Sequence, residues 1–183
     1  MDGLLVIDMQ EGLRGGPPKH RLTEVVATIN GLAADLRRRG RPVVFVQHHG
    51  PPGDEFAPGA PGWHLLAELA RAPSDRVVPK SLNDAFFGTA LRDDLAGLGV
   101  DRLIVTGWAT DLCVDATIRS AVALGFAVVA AADGHTVSDR PHLDAAGVIA
   151  HHHWVWRNLI APRPVAVLPA AALLAGAETP SGG

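Results

Sequence analysis

The sequence contains one cysteine, no tyrosine, and two lysines against fourteen arginines. One cysteine cannot form an internal disulfide, which excludes the small secreted scaffolds built on such bridges and fits a reducing cytoplasm. The opening residues carry an acid at Asp2 and then a short apolar run. They show no cationic leader and no cleavage-site pattern, so no signal peptide is expected. No apolar stretch reaches the roughly 20 residues a membrane-spanning helix requires. Basic residues are not in surplus, with 16 Lys and Arg against 19 Asp and Glu and a net charge of −3. Neither nucleic acid nor an anionic membrane is therefore an expected partner. The one dense basic cluster, Arg37–Arg39 with Arg41, falls at the end of an expected helix, where cations oppose the negative end of the helix dipole.

What is present is a chain of 183 residues, 48% apolar and 19% charged. That suits one globular domain, expected over residues 1–175, with a small, polar, flexible tail over 176–183. Six runs read as strands: Leu4–Asp8, Pro42–His48, Arg76–Val78, Leu103–Thr106, Ala127–Ala132 and Val165–Leu168. Four of them, the first, second, fourth and fifth, are almost continuously apolar rather than alternating. Strands covered on both faces read this way. Helical periodicity fills the gaps: Leu22 to Leu36 before Gly40, Leu91 to Leu98 before Gly99, Val114 to Ala121 before Gly125, and Ala145 to Leu159. Strand and helix in alternation imply a three-layer α/β/α domain with a mostly parallel, Rossmann-like sheet. The Pro- and Gly-rich stretch His49–Gly62 reads as a long loop, a length often associated with function.

In such folds ligands bind beyond the carboxyl ends of the strands. Asp8, His48, His49, Lys80, the segment Gly107–Cys113 and Asp133–His135 should all gather at that edge. Cys113 lies between a buried strand and a helix that Thr110 or Asp111 is placed to cap, so its thiolate would sit among unpaired backbone N–H groups. Asp8 is a carboxylate directly after Leu-Leu-Val-Ile, costly to bury without a partner or a task. Lys80 stays lysine in a chain that elsewhere uses arginine, and a compact ammonium whose pKa can move is what a reaction centre needs. Together the three form a nucleophile, a base and a thiolate-stabilising cation. No glycine-rich turn follows Asp8, so a dinucleotide fingerprint is absent and no cofactor is expected.

Leu5-Val6-Ile7-Asp8-Met9-Gln10, Lys80 with Asn83-Asp84-Ala85-Phe86-Phe87-Gly88-Thr89-Ala90-Leu91, Gly107-Trp108-Ala109-Thr110-Asp111-Leu112-Cys113-Val114-Asp115-Ala116-Thr117, and Asp133-Gly134-His135-Thr136 stand in order along the chain. This set resembles the motifs of the isochorismatase-like cysteine hydrolases, a superfamily that includes nicotinamidases and N-carbamoylsarcosine amidohydrolase. The resemblance implies a six-stranded parallel sheet flanked by helices. It implies Cys113 as nucleophile, Asp8 as base and Lys80 as the cation beside the thiolate. It also implies a cis peptide at Trp108–Ala109, with the N–H groups of Ala109 and Cys113 forming the oxyanion hole.

Two departures narrow the expected chemistry. Nicotinamidases carry a metal-binding Asp-x-His after the second strand, but Gln47-His48-His49-Gly50 stands there, so no metal is expected. Isochorismatases proper cleave a vinyl ether and generally lack the nucleophilic cysteine. Cys113 therefore favours hydrolysis of a C–N bond in a small amide, imide or ureido compound. Vinyl-ether hydrolysis and a non-catalytic, thiol-based sensor are the alternatives. Trp63, Trp108, Phe86 and Phe87 are candidate pocket walls, and His49, His64 and His135 candidate polar contacts. His151, His152 and His153 are consecutive, so on a helix they point about 100° apart and cannot share an ion. His152 lies on the apolar stripe and is expected to be a hydrogen-bonded core residue. Trp154 and Trp156 face different sides of the last long helix, which suggests a homo-oligomer, a dimer or tetramer.

Overall fold

The structure is a computed structural model of the chain, with residues 1–176 described; most of the expected tail lies outside the described residues. Six strands, β1 (Asp2–Ile7), β2 (Val43–His48), β3 (Arg76–Lys80), β4 (Arg102–Trp108), β5 (Ala127–Thr136) and β6 (Ala166–Leu168), form one sheet in the order β3-β2-β1-β4-β5-β6. Every pairing is parallel, so the sheet is more uniform than the mostly parallel arrangement expected. The helices are α1 (Leu22–Arg38), α2 (Leu91–Gly97), α3 (Asp115–Ala123), α4 (Ala145–Arg157) and α5 (Ala170–Leu174). None of the helices among the described residues is long and apolar enough to cross a membrane.

The continuous apolar runs are explained by the two faces of the sheet. Leu5, Ile7, Val44, Val46, Leu103 and Val105 point to one side, where they pack with Leu91 and Leu95 of α2, Ile118 of α3 and Trp156 of α4. Their sequence neighbours Leu4, Val6, Val43, Phe45 and Ile104 point to the other side, against Val25, Ile29, Leu32 and Leu36 of α1 and Leu173 of α5. Because strand side chains alternate faces, both sets must be apolar.

The chain order reverses between β1 and β4, a switch point of the kind at whose carboxyl edge open α/β sheets bind ligands. Two backbone features shape it. Asp8 leaves β1 in the left-handed region with φ 52°, a conformation acids tolerate better than most residues. Gly107, in β4, has φ 121°, and a Cβ built there would lie 2.1 Å from the Ile7 carbonyl oxygen. Only glycine lets β4 approach β1 so closely. Gly107→Ala is expected to destabilise the fold by about 3 kcal/mol, read from urea denaturation, because both the dihedral and the contact are violated.

Beyond Val105 the pairing of β4 with β5 slips. Val105 pairs with Ala130, but Gly107 pairs with His135. The extra residues on β5 interrupt the ladder with β4, and His135 is drawn back into register beside the switch point. Bulges of this kind re-aim side chains next to active sites.

Candidate active site

Three elements deliver the expected trio. Asp8 comes off the end of β1, Lys80 is the last residue of β3, and Cys113 lies in a wide, π-type turn over Thr110–Val114 that leads into α3. The structure brings all three together. Lys80 Nζ lies 2.6 Å from Asp8 Oδ2 and 3.4 Å from Cys113 Sγ. Asp8 and Lys80 are each 2% exposed and Cys113 is 7% exposed, so this is a buried charge cluster rather than a surface ion pair. The ammonium also donates to the Leu82 carbonyl oxygen at 2.9 Å. The Asp8 carboxylate is buried against Lys80, with the Cys113 thiol the other side chain interacting with it.

The electrostatics follow from that burial. Desolvation raises the Asp8 carboxyl above the ordinary carboxylate range, while the Lys80 ammonium pulls it back. Desolvation also pushes the Cys113 thiol up to about 12, the Asp8 charge adds to the rise, and Lys80 opposes it. Burial thus favours the protonated form of the thiol at rest. A raised carboxyl beside a raised thiol is a pair across which one proton can pass without entering water.

The turn carrying Cys113 is fixed at several points. The Leu112 and Val114 N–H groups both donate to the Ala109 carbonyl oxygen at 3.0 Å. The Trp108–Ala109 peptide bond is cis. Neither Thr110 nor Asp111 caps the helix, contrary to expectation. Thr110 Oγ1 donates instead to the Thr136 carbonyl oxygen at 3.0 Å, and Asp111 forms a paired contact with Arg140, both oxygens at 2.7 Å. Both side chains are drawn to partners in the β5–α4 region, which proximity along the chain does not reveal.

The remaining candidates separate. Trp108 is half-buried, with Lys19 Nζ 5.9 Å from its ring centroid and a buried indole N–H that has no partner among the described residues. His49 meets Trp63 at 5.5 Å with the rings tilted by 60°, and Trp63 in turn meets the exposed His64 at 5.3 Å. Phe86 stacks on Phe126 at 5.7 Å and packs against the core. Phe87 is 68% exposed and lies with Phe86, Asp84 and Arg92 around a separate shallow cleft of about 290 Å³. It does not form the wall expected of it, because the chain after Lys80 turns its ring outward. His152 is half-buried and hydrogen-bonded to the Val148 carbonyl oxygen at 2.8 Å. No group of three or more His, Cys, Asp or Glu side chains among the described residues is arranged to hold a metal ion.

His135 lies at the floor of a cleft that His20, Arg21 and Ile149 also line. It is 2% exposed, and both ring nitrogens are engaged: Nδ1 with Thr110 Oγ1 at 2.8 Å and Nε2 with His153 Nε2 at 3.0 Å. Burial lowers its pKa to about 3. The unfolded chain takes up a proton near pH 6.5, but the folded chain refuses it until about pH 3. Stability from this group is thus complete above pH 6.5 and lost progressively on acidification between those values. Urea midpoints at pH 7.5 and pH 5 should show a smaller acid loss in His135→Asn than in the parent chain.

Three contacts were missed from the sequence alone. Asn83 Oδ1 accepts from the Cys113 thiol at 3.5 Å, from an exposed position at the lip of the site. The Leu82 carbonyl holds Lys80. Buried Gln10 ties the exits of β1 and β2, accepting from the His48 N–H at 2.7 Å and donating to the His48 and Trp63 carbonyl oxygens at 3.0 and 2.8 Å. A fully buried amide in a turn right after a strand is a signal, but only burial makes it visible.

Known proteins resemble this chain in sequence and fold. Residues 2–152 match the isochorismatase domain model. The chain is 37% identical over 142 residues to streptothricin hydrolase of Streptomyces noursei, an alignment covering 77% of this chain and 51% of that protein. It is 31% identical over 138 residues to the ureidoacrylate amidohydrolase RutB of Pseudomonas syringae pv. syringae, covering 60% of this chain and 56% of that one. The chain thus spans about half the length of these relatives. Among solved structures, an isochorismatase from Pseudomonas putida KT2440 superimposes with a TM-score of 0.85 at 28% identity, covering 93% of this chain and 89% of the other. With its six-stranded parallel sheet and a domain match over most of its length, the chain belongs to the isochorismatase family.

Proposed function

We propose that this protein is a cysteine hydrolase that cleaves the C–N bond of a small amide, imide or ureido compound. The observation that carries this is the buried contact of Cys113 Sγ, Lys80 Nζ and Asp8, three residues far apart in sequence. The similarity to proteins named streptothricin hydrolase and ureidoacrylate amidohydrolase supports the choice of C–N bonds.

In the proposed cycle, substrate enters above Cys113 and its carbonyl carbon is attacked by sulfur while the thiol proton passes to Asp8. The carbonyl π electrons move to oxygen, and the backbone N–H groups of Ala109 and Cys113 are the proposed donors to that oxyanion. One such donor is typically worth about 3 kcal/mol. Collapse breaks the C–N bond, and Asp8 returns its proton to the leaving nitrogen. Water then attacks the thioester with Asp8 again accepting a proton. The acid departs, and sulfur regains its proton from Asp8. Lys80 keeps its charge throughout, balancing carboxylate in one state and thiolate in the other.

Intact-mass analysis after rapid quenching, with a mixed library of small amides, imides and ureido compounds, tests the reading. An acyl adduct on Cys113 that decays with release of free amine is expected. Turnover without any adduct, or turnover retained in Cys113→Ser, would remove the nucleophile assignment. The sensor alternative calls for an exposed, acidic thiol, whereas Cys113 is buried and its thiol is raised.

We also propose that the protein assembles with copies of itself through the outer side of α4. Trp154 there is 64% exposed and Ile160, just beyond, is fully exposed. Light scattering at micromolar concentration should give a mass above 19.1 kDa, and Trp154→Ser should lower it. A monomeric mass for the parent chain would end the proposal.

A further inference from the structure

The hydrogen atoms around His135 can be assigned by elimination. A carbonyl oxygen only accepts, so the single hydroxyl proton of Thr110 must go to the Thr136 carbonyl oxygen 3.0 Å away. The Thr110 oxygen then presents a lone pair to His135 Nδ1 at 2.8 Å, and Nδ1 must carry a proton. A ring buried this deeply is neutral, so its Nε2 is a bare acceptor. The atom facing it at 3.0 Å, His153 Nε2, must donate. The result is a one-way chain from His153 through His135 and Thr110 to the backbone of β5, with no free choice of tautomer at either histidine it passes through.

This chain passes through the nucleophile turn at Thr110. Thr110 is fully buried and directly follows Ala109, whose carbonyl oxygen receives the Leu112 and Val114 N–H groups on either side of Cys113. A second clasp from the same helix holds the far end of the turn: Trp156 Nε1 donates to Asp115 Oδ1 at 2.9 Å. The Trp156 ring also packs at 5.1 Å against His135, at 76° to it, closing off rotation of the imidazole. Helix α4 therefore reaches both ends of the turn, through His153 and His135 at one and Trp156 at the other.

We propose that His135 is a positioning residue that sets the Ala109–Cys113 backbone to receive an oxyanion, acting through the Thr110 hydroxyl with His153 fixing its tautomer. This rests on the hydrolase reading above. It assigns no contact between His135 and substrate. Its task is to hold the turn in register so that the backbone donors point at the developing charge rather than at solvent.

Two probes of Cys113 separate this role from its alternatives. Acylation by p-nitrophenyl acetate passes through a tetrahedral oxyanion, and alkylation by iodoacetamide does not. In His135→Gln the side chain still reaches toward His153, but nothing donates to Thr110. Acylation should fall by about tenfold to a hundredfold with alkylation changed by less than about threefold. In His135→Asn the side-chain amide occupies the Nδ1 position and can still donate to Thr110, so most of the lost acylation should return. Should His135→Gln fail to fold, Thr110→Val removes the same link and should show the same split. Equal losses in both reactions, or equal acylation in the Gln and Asn variants, would overturn the positioning role. If the parent chain itself acylates no faster than Cys113→Ser, the hydrolase reading fails and this inference falls with it. If the parent acylates and the split is absent, only the positioning role fails.

Discussion

Replacing Cys113 with alanine is expected to abolish the covalent adduct and lower hydrolysis by more than about 10⁴-fold, since removing a nucleophile collapses covalent catalysis as a unit. The fold should survive. The side chain is small, it contacts Lys80 Nζ at 3.4 Å and the Asn83 amide oxygen at 3.5 Å, and neither partner is stranded by its loss. Lys80 retains Asp8 and the Leu82 carbonyl. Stability within about 1 kcal/mol of the parent chain is expected, as for a modest truncation in a partly relaxed site. Steady-state turnover on the substrate identified by mass trapping, alongside urea denaturation, checks both halves. Turnover within tenfold of the parent would mean that the chemistry runs elsewhere.

Asp8→Asn should separate two properties that a simple active-site lesion would destroy together. The Asp8 charge raises the Cys113 thiol, so removing it lowers the thiol pKa. Lys80, freed of its carboxylate, then pairs with the thiolate instead. Alkylation of Cys113 by iodoacetamide at pH 7 should accelerate. Hydrolysis should nonetheless fall by at least about 10³-fold, because no group remains to carry the proton from sulfur to the leaving nitrogen. Lys80→Met should have the opposite sign in the first assay. It leaves the Asp8 carboxylate buried with no opposing charge, slows alkylation, and costs about 3–5 kcal/mol of stability, the usual penalty for stranding one half of a buried pair. Slower alkylation in Asp8→Asn would show that the carboxylate, not the ammonium, sustains the thiolate, and the assigned roles would have to be revised.

The parallel sheet was legible because its signal is local and redundant. Six β-rich runs, most of them followed by a helical stripe or a long loop, leave few topologies open, and the strands observed overlap those expected. The reach of β5 to Thr136 was not legible. Asp133 and Gly134 read as the start of a loop, and only the slipped pairing with β4 returns His135 and Thr136 to the sheet. The trio of Asp8, Lys80 and Cys113 was legible because each residue is out of place: an acid ending an apolar strand, a lysine among arginines, a solitary thiol. Phe87 was misplaced because an aromatic in a motif looks the same whether its ring faces a pocket or water.

By itself, the sequence determined the layers, the strand count and the edge of the sheet where chemistry collects, since hydrophobic periodicity and chain punctuation act within a few residues of one another. Tertiary structure decided which nitrogen of His135 carries a proton, why Thr110 serves Thr136 rather than a helix cap, and that Gly107 must be glycine. Those outcomes depend on atoms brought within 3 Å across strands and helices remote in the chain. Hydrogen bonds and close contacts vanish over a fraction of an ångström, so no pattern of residue types along the chain can encode them before the fold is in place.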